Sequence, residues 1–492
     1  MEHMTVSDIV KATGGRLLRG DGELPVLHIS IDSRVMRGND LFVPLIGEKT
    51  DAHRFIRQAF AAGAVCTLTS EHEEGDIQPE QEAADGDTAA TYAPAADVAA
   101  DVPAAGVSAT YTPAWIAVED TRRALQAIGS YYRERLMLPL VGVTGSVGKT
   151  TTREMIAAAL SAGYRVYKTP GNSNSQVGVP LTISEITSAD EIGVLELGMS
   201  LPGEMTVIAQ IARVDAAVIT NIGLAHIEQL GSRENILREK LHIQDGLKPG
   251  GTLFVNGDDE LLAHVSAKEG CRTYRYGTGA DCDCRAEVIH FVDGCASFVA
   301  VCGGCRVPVR LGIMGRHHVG NALAALAVAD HYGVDLYRAV QRLEAFKGFA
   351  GRQQTFECDG VTIIDDSYNA SPASMRASLE VLFSMVRAKH RIAVLADMKE
   401  LGAEAPRYHR EIGSWLAGQD LDCLLTMGSL AKEIADGAAE NGAVFSRIHY
   451  DAGSQEALST DLKELLRPGD CVLVKGSNSM RLGAVVSALR DR

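Results

Sequence analysis

No stretch of this sequence is apolar for long. The longest runs, such as Ala157–Ala162 and Ala322–Ala329, fall far short of the ~20 residues that cross a bilayer. The start, Met1-Glu2-His3-Met4, has no basic segment leading into an apolar one, so no export signal is expected. The chain is therefore expected in the cytoplasm, without a membrane partner and with its ten cysteines reduced. Basic charge is also short: 47 Lys and Arg face 63 Asp and Glu, a net −16. That excludes a protein that grips nucleic acid across its whole surface, although a local cationic pocket for a phosphorylated metabolite remains open. No fixed-period internal repeat is present.

At 492 residues the chain exceeds a single core and suggests about three domains of roughly 150 residues. Between Glu71 and Thr110 lie ten acidic residues, twelve Ala and no Lys or Arg. That stretch shows neither helical nor strand periodicity and reads as a disordered insertion in a surface loop, a solvated spacer rather than an acidic docking arm. Around it, 41–46 and Ala64–Thr69 read as strands and Arg54–Ala62 as a helix closed by Gly63. Further on, apolar runs at 138–144, 192–197, 216–220 and 252–255 alternate with helical patterns. The alternation resumes at 361–364, 392–395, 423–426 and 471–474. Strand–helix alternation implies an α/β chain of doubly wound sheets. The expected units are 1–139, a small α/β domain, 140–347, with a mainly parallel sheet, and 348–492, Rossmann-like.

The sharpest local signal is Val143-Thr144-Gly145-Ser146-Val147-Gly148-Lys149-Thr150-Thr151-Thr152. A buried strand runs into a glycine turn and then a helix. The glycines let successive backbone N–H groups point at phosphate oxygens, and the helix N-terminus adds its dipole. Lys149 is placed to neutralise the β- and γ-phosphates, and the Thr150 hydroxyl to ligate Mg²⁺. Only the shorter G-x-x-G-K-T core is present, because Val143 stands where the full spacing needs Gly.

Two later strand ends carry polar groups where an open α/β sheet places its ligands. Glu196 closes one strand and is a candidate Mg²⁺ ligand, or a helix-capping or solvated carboxylate. His226 follows the next strand and is a second candidate for the metal region, or a satisfied histidine. Six cysteines fall between Cys271 and Cys305, a density that invites a zinc or disulfide reading. The Gly303-Gly304 pair between two strand-like runs is instead a hairpin signal that puts Cys302 opposite Cys305, with reduced strand cysteines as the default. His409 fits either a pocket wall or an ordinary helix face.

These motifs resemble one family, the Mur ligases, ATP-dependent amide ligases of peptidoglycan synthesis. Alongside Thr144–Thr152, the resemblance rests on Glu196 with Pro202-Gly203-Glu204 and on Asn221-Ile222-Gly223-x-Ala225-His226-x-Glu228. It also rests on Gly315-Arg316-His317-His318-x-x-Asn321-Ala322, Asp366-Ser367-Tyr368-Asn369-Ala370-x-Pro372, Asp397-Met398-x-Glu400-Leu401-Gly402 and Lys475-Gly476-Ser477. It spans the chain apart from the acidic insertion. Ser175, Ser371 and His318 stand where many relatives have Asn, each keeping hydrogen-bonding ability.

Within the family, the pattern resembles members that join D-alanyl-D-alanine to UDP-MurNAc-tripeptide through an acyl phosphate. Both compounds are then expected partners, ATP and two Mg²⁺ the expected cofactors, and a monomer the expected state. By this resemblance the nucleotide site takes in Thr144, Gly145, Ser146, Val147, Gly148, Lys149, Thr150 and Thr151, Asn321 against adenine, and Arg352 and Asp366 closing from the third domain. Lys149, Glu196, His226 and Lys240 are the implied catalytic set. Lys240 is implied to be carbamylated and, with Thr150, Glu196 and His226, to hold metal. Ser33, Arg34, Gly47 and His53 are implied at the UDP-sugar, and Asn369, His409 and Lys475 near the incoming dipeptide. Alternatives are a family member that adds a single amino acid, a folate polyglutamyl ligase, and a non-catalytic ATP-binding regulator.

Overall fold

The computed structural model describes residues 1–47, 50–70, 112–292 and 294–491. The acidic stretch 71–110 read above as a disordered insertion lies outside the described residues. Three sheets organise what is described, of five, nine and six strands.

The first sheet has the order Arg16–Arg19, Ala114–Ala117, Ala64–Thr69, Asp40–Phe42, His28–Ser30. Only the Arg16–Arg19 edge is antiparallel. The run 41–46 reads as one strand, yet pairing ends at Phe42. Val43 N still donates to Ser30 O at 2.9 Å, and Pro44, which lacks an N–H, breaks the ladder there.

The second sheet runs Cys305–Met314, Cys295–Cys302, Cys284–Val292, Arg272–Gly277, Thr252–Asn256, Ala216–Ile219, Leu140–Thr144, Ile192–Glu196, Val166–Lys168. Its central strands are buried at every position because helices cover both faces. The period-2 alternation sorts their side chains. Leu140, Leu195 and Ala217 enter the core that also holds Ile183 and Ile208, while Val141, Val194 and Val218 meet Ile156 and Leu326 of the helices Lys149–Leu160 and His318–His331. The sheet is parallel up to Cys284–Val292 and then turns into an antiparallel meander. Gly303 and Gly304, at φ 57 and 78, make the two-residue turn, and Cys302 pairs opposite Cys305. All ten cysteines are free thiols.

The helix Thr121–Arg135 ties the first unit to the second. Asp120 caps it, accepting from Arg122 N and Arg123 N at 2.7 and 2.9 Å. Leu125 and Ile128 lie in one continuous core with Ile9 and Leu41 on one side and Ile183 and Ile208 on the other. Arg133 is buried, and its guanidinium bonds the Ala212 and Arg213 carbonyls and Asp215 at 2.9, 3.0 and 3.1 Å.

The third sheet has the order Gln354–Cys358, Val361–Asp366, Cys471–Lys475, Arg391–Ala396, Cys423–Met427, Ser446–Tyr450, parallel except for the Gln354–Cys358 edge. Residues at the carboxyl ends of its strands and of the second sheet's strands line one cleft of about 1370 Å³. That exceeds the 300–1,000 Å³ typical of a single small-ligand pocket, leaving room for more than one reactant.

Candidate active site

The glycine loop is fixed by its neighbours. Gly145 has φ 149, and a Cβ there would come within 1.9 Å of Thr220 Oγ1, so only glycine fits. Thr220 Oγ1 donates to Val147 O at 2.7 Å. Asn221 grips the same residue from both sides, its Oδ1 accepting from Val147 N at 2.9 Å and its Nδ2 donating to Val147 O at 2.8 Å. The helix Lys149–Leu160 starts behind Gly148, at φ 83, without a side-chain cap, and Gly148, Lys149, Thr150 and Thr151 line the cleft. Lys149 folds back over the loop, Nζ to Gly145 O at 3.0 Å. Desolvation holds its amine below the ordinary lysine value, against the pull of Glu196. Thr144 Oγ1 and Ser146 Oγ are buried without a partner. Backbone N–H groups at a helix start, a lysine and idle hydroxyls together make an anion cradle.

Glu196 is buried at its strand end. Its carboxylate accepts from Asn174 Nδ2 at 2.7 Å and pairs with the buried Arg153 at 3.2 Å. Arg153 also meets Glu154 at 2.6 Å, and Lys168 meets Glu154 at 2.5 Å. His226 sits in the left-handed region at φ 64 as the residue before a short helix. Its Nδ1 lies 2.6 Å from Glu400 Oε2, off the line of a hydrogen bond. The His226 ring and Lys149 hold the Glu400 carboxyl below the ordinary glutamate value. Lys240, near the end of helix Arg233–Leu241, is buried behind the cleft wall. Desolvation, helped by Lys149, holds its amine well below the lysine range.

The opposite wall belongs to the third unit. The Arg352 guanidinium stacks 4.0 Å from the Tyr368 ring centre. Asp366 is buried, accepts from Ser378 Oγ at 2.5 Å and from Gln353 N at 3.2 Å, and is ion-paired with Lys475. Lys475 Nζ also donates to Asn369 O at 3.0 Å, and desolvation lowers its amine, with Asp366 opposing. Asn321 stands beside the glycine loop, its Oδ1 accepting from Thr152 Oγ1 at 3.1 Å. Ser371 serves as N-cap of helix Pro372–Phe383 in a capping box with Ser374.

The structure thus brings the loop residues Ser146 to Thr151, Glu196, His226, Asn321, Arg352, Asp366, Asn369 and Lys475 to one cleft, while Thr144 and Gly145 do not line it. Other expected site residues lie elsewhere. Ser33, Arg34, Gly47 and His53 belong to the first unit and do not line this cleft. Arg34 is exposed and clasps Asp32 at 2.7 and 2.8 Å, which holds the Asp32 carboxyl at about 2. The His53 ring is committed to structure, Nδ1 donating to Asp51 at 2.6 Å and Nε2 accepting from Ser70 N at 3.2 Å. His409 is corrected from pocket wall to buried support. Nδ1 donates to Ala405 O at 2.6 Å and Nε2 accepts from Met398 N at 2.9 Å, fixing the loop that carries Lys399 and Glu400 into the cleft. Gln353, Ser378, Asn174 and Arg153 emerge as further site groups. Asn221 was visible in its motif, directly after a buried strand, but its grip on Val147 was not.

Among the described residues no three His, Cys, Asp or Glu are grouped tightly enough to hold a metal alone. Magnesium needs no such group, since it keeps waters and binds through one or two carboxylates plus substrate phosphates. The Thr150 hydroxyl and the Glu196 carboxylate fit that demand beside an anion cradle, with the His226 ring, paired to Glu400, on the same cleft. Chemically, this is a place to bind a polyphosphate and to bring a second anion to it.

Family models match along the chain: "Mur ligase family, catalytic domain" over 25–133, "Mur ligase middle domain" over 143–329 and "Mur ligase, glutamate ligase domain" over 351–478. A Bacillus subtilis protein named UDP-N-acetylmuramoyl-tripeptide–D-alanyl-D-alanine ligase is 35% identical over 99% of this chain and 98% of its own. A crystal structure of MurF from Acinetobacter baumannii superimposes with a TM-score of 0.82 at 29% identity, covering 99% of both chains. The MurF ligase from Thermotoga maritima in complex with ADP gives 0.75 at 27% identity, over 94% of this chain and 97% of that one.

Proposed function

This chain belongs to the Mur ligase family, and from that premise we propose that it joins D-alanyl-D-alanine to UDP-N-acetylmuramoyl-tripeptide, with ATP, in peptidoglycan precursor synthesis. The observation that carries the reading is the cleft itself: a glycine-loop cradle with Lys149 on one wall faces Arg352, Asp366 and Lys475 on the other. Full-length identity to a ligase of that name supports the choice of substrates.

The reaction brings anions together. The carboxylate at the tripeptide end attacks the γ-phosphorus of ATP, an acyl phosphate forms and ADP leaves. The amine of the dipeptide then attacks the acyl carbon, and phosphate departs as the amide bond forms. Such chemistry needs charge compensation and positioning more than a covalent nucleophile. Lys149 and the first turn of helix Lys149–Leu160 hold the phosphates. Arg352 and Lys475 bring cationic charge from the third unit, and Asp366 keeps the Lys475 ammonium oriented.

Thr150, Glu196, His226 and a carbamylated Lys240 would hold two Mg²⁺, which when bound neutralise charge that develops on the phosphates. The Lys240 amine, held below its ordinary range by burial, is suited to carbamylation, because only a neutral amine adds to CO₂. Ser33, Arg34, Gly47 and His53 mark the face where the UDP-sugar binds, and Asn369 and Lys475 the dipeptide end. The enzyme acts as a monomer in the cytoplasm, where ATP and its nucleotide-linked substrate are made.

Phosphate release tests this, with the muramoyl tripeptide, ATP and Mg²⁺ present and acceptors varied. Release should require D-alanyl-D-alanine. Release driven by a single amino acid, or by a folate and glutamate, overturns the substrate assignment. Absence of release with every acceptor overturns the catalytic one.

A further inference from the structure

A continuous hydrogen-bonded chain crosses the cleft from the helix behind the glycine loop to the third unit. Thr152 Oγ1 lies 3.1 Å from Asn321 Oδ1, and Asn321 Nδ2 lies 3.1 Å from His318 Nδ1. His318 Nε2 lies 3.0 Å from Gln353 Oε1, and Gln353 Nε2 lies 3.2 Å from Ser378 Oγ. The direction of each link follows from the far end. Ser378 Oγ also faces Asp366 Oδ2 at 2.5 Å and Ser374 O at 2.8 Å, two groups that accept. Its one proton goes to either of them, which leaves only a lone pair for Gln353. Gln353 must therefore turn its NH₂ to Ser378 and its carbonyl to His318. His318 Nε2 must then carry the proton, and since burial keeps the ring neutral, Nδ1 is an acceptor. Asn321 has one choice left, NH₂ toward His318 and carbonyl toward the Thr152 hydroxyl.

We propose that Gln353 is a positioning residue for nucleobase selection, which acts through His318 to lock the Asn321 amide in one of its two flips. The inference rests on the reading above in which Asn321 faces the nucleotide. A locked amide offers one N–H and one oxygen lone pair in fixed order. Adenine presents an amino donor beside a ring-nitrogen acceptor, whereas guanine puts a carbonyl acceptor in place of the amino group. The order that suits adenine sets a lone pair against the guanine carbonyl. An amide free to flip can turn an N–H toward the guanine carbonyl, which lowers the penalty against guanine.

Steady-state kinetics of the full-length enzyme with ATP and with GTP, the other substrates saturating, test the proposal in Gln353→Leu, Ser378→Ala, Asn321→Ala and the Asn321→Ala/Gln353→Leu double variant. Gln353→Leu and Ser378→Ala should each lower the ATP-over-GTP ratio of kcat/KM, the former about tenfold. The change should sit in KM for the nucleotide more than in kcat, and Gln353→Leu should add nothing to the loss already present in Asn321→Ala. Wild-type discrimination in Gln353→Leu and Ser378→Ala, or losses that multiply in the double variant, overturns the proposal. Ser378→Ala is an alanine in a helix, so it decides the matter should Gln353→Leu fail to fold. A wild-type KM for ATP in Asn321→Ala overturns the placing of Asn321 at the nucleotide, and the proposal with it.

Discussion

Removing the Asp366–Lys475 pair whole should cost no more than breaking it at one end. Both side chains are buried, and the two units of charge meet inside the cleft wall. Lys475→Met strands the Asp366 carboxylate. Because that carboxylate keeps the Ser378 hydroxyl and the Gln353 N–H, the cost falls at the low end for a broken buried pair, about 3 kcal/mol. Asp366→Asn leaves Lys475 with the Asn369 carbonyl as its polar neighbour and should cost a similar ~3 kcal/mol. Once one charge is gone, deleting the other relieves an unpaired buried ion, so the double variant should lose about 3 kcal/mol rather than about 6. The chain supplies its own reporter, since one of its two tryptophans, Trp415, lies in the third unit against Phe383 at 5.8 Å. In a Trp115→Phe background, urea unfolding followed by Trp415 fluorescence isolates that unit's transition. Losses that add in the double variant, or a Lys475→Met cost below about 1 kcal/mol, would refute the reasoning.

Other perturbations have equally definite outcomes. Gly145→Ala drives a methyl into Thr220 Oγ1 at a backbone angle that favours glycine, so ADP affinity by calorimetry should fall by more than about tenfold while circular dichroism stays unchanged. Lys149→Ala should abolish phosphate release, and retained turnover would remove it from its assigned role. Glu185, on the second unit, pairs with Arg37 of the first at 3.0 Å, and its carboxyl is held at about 2 against an ordinary 4.5, chiefly by His28 and Arg37. A lowered carboxyl pKa stabilises fully above the ordinary value and fades as pH falls toward the folded one, here between 4.5 and about 2. Glu185→Gln should therefore flatten the acid limb of the thermal midpoint, by no more than about 1 kcal/mol for so accessible a pair. Lys240 should take up label from isotopically enriched bicarbonate as a carbamate signal in NMR, absent in Lys240→Ala.

Local chemistry made much of this legible in the sequence. Apolar runs such as 192–197 and 471–474 read correctly as strands because parallel strands buried on both faces leave no alternative composition. The Gly303-Gly304 turn and the glycine loop read correctly because their backbone angles demand glycine. Strand 41–46 ran too long since an apolar run does not reveal where a missing N–H ends the pairing. What stayed hidden are partners far apart in the chain. Gln353 has no motif of its own, and its role exists only because Ser378 and His318 arrive from two different units. His409 fitted pocket wall and helix face equally because burial on the helix Ala405–Leu416 is decided by packing against the loop at Met398.

This cleft makes one anion accept phosphate from another before an amine takes its place. Heavy oxygen placed in the terminal carboxylate of the muramoyl tripeptide follows that step directly. After turnover with ATP and D-alanyl-D-alanine, mass spectrometry should find one labelled oxygen in the released phosphate, and phosphate free of label would contradict the account.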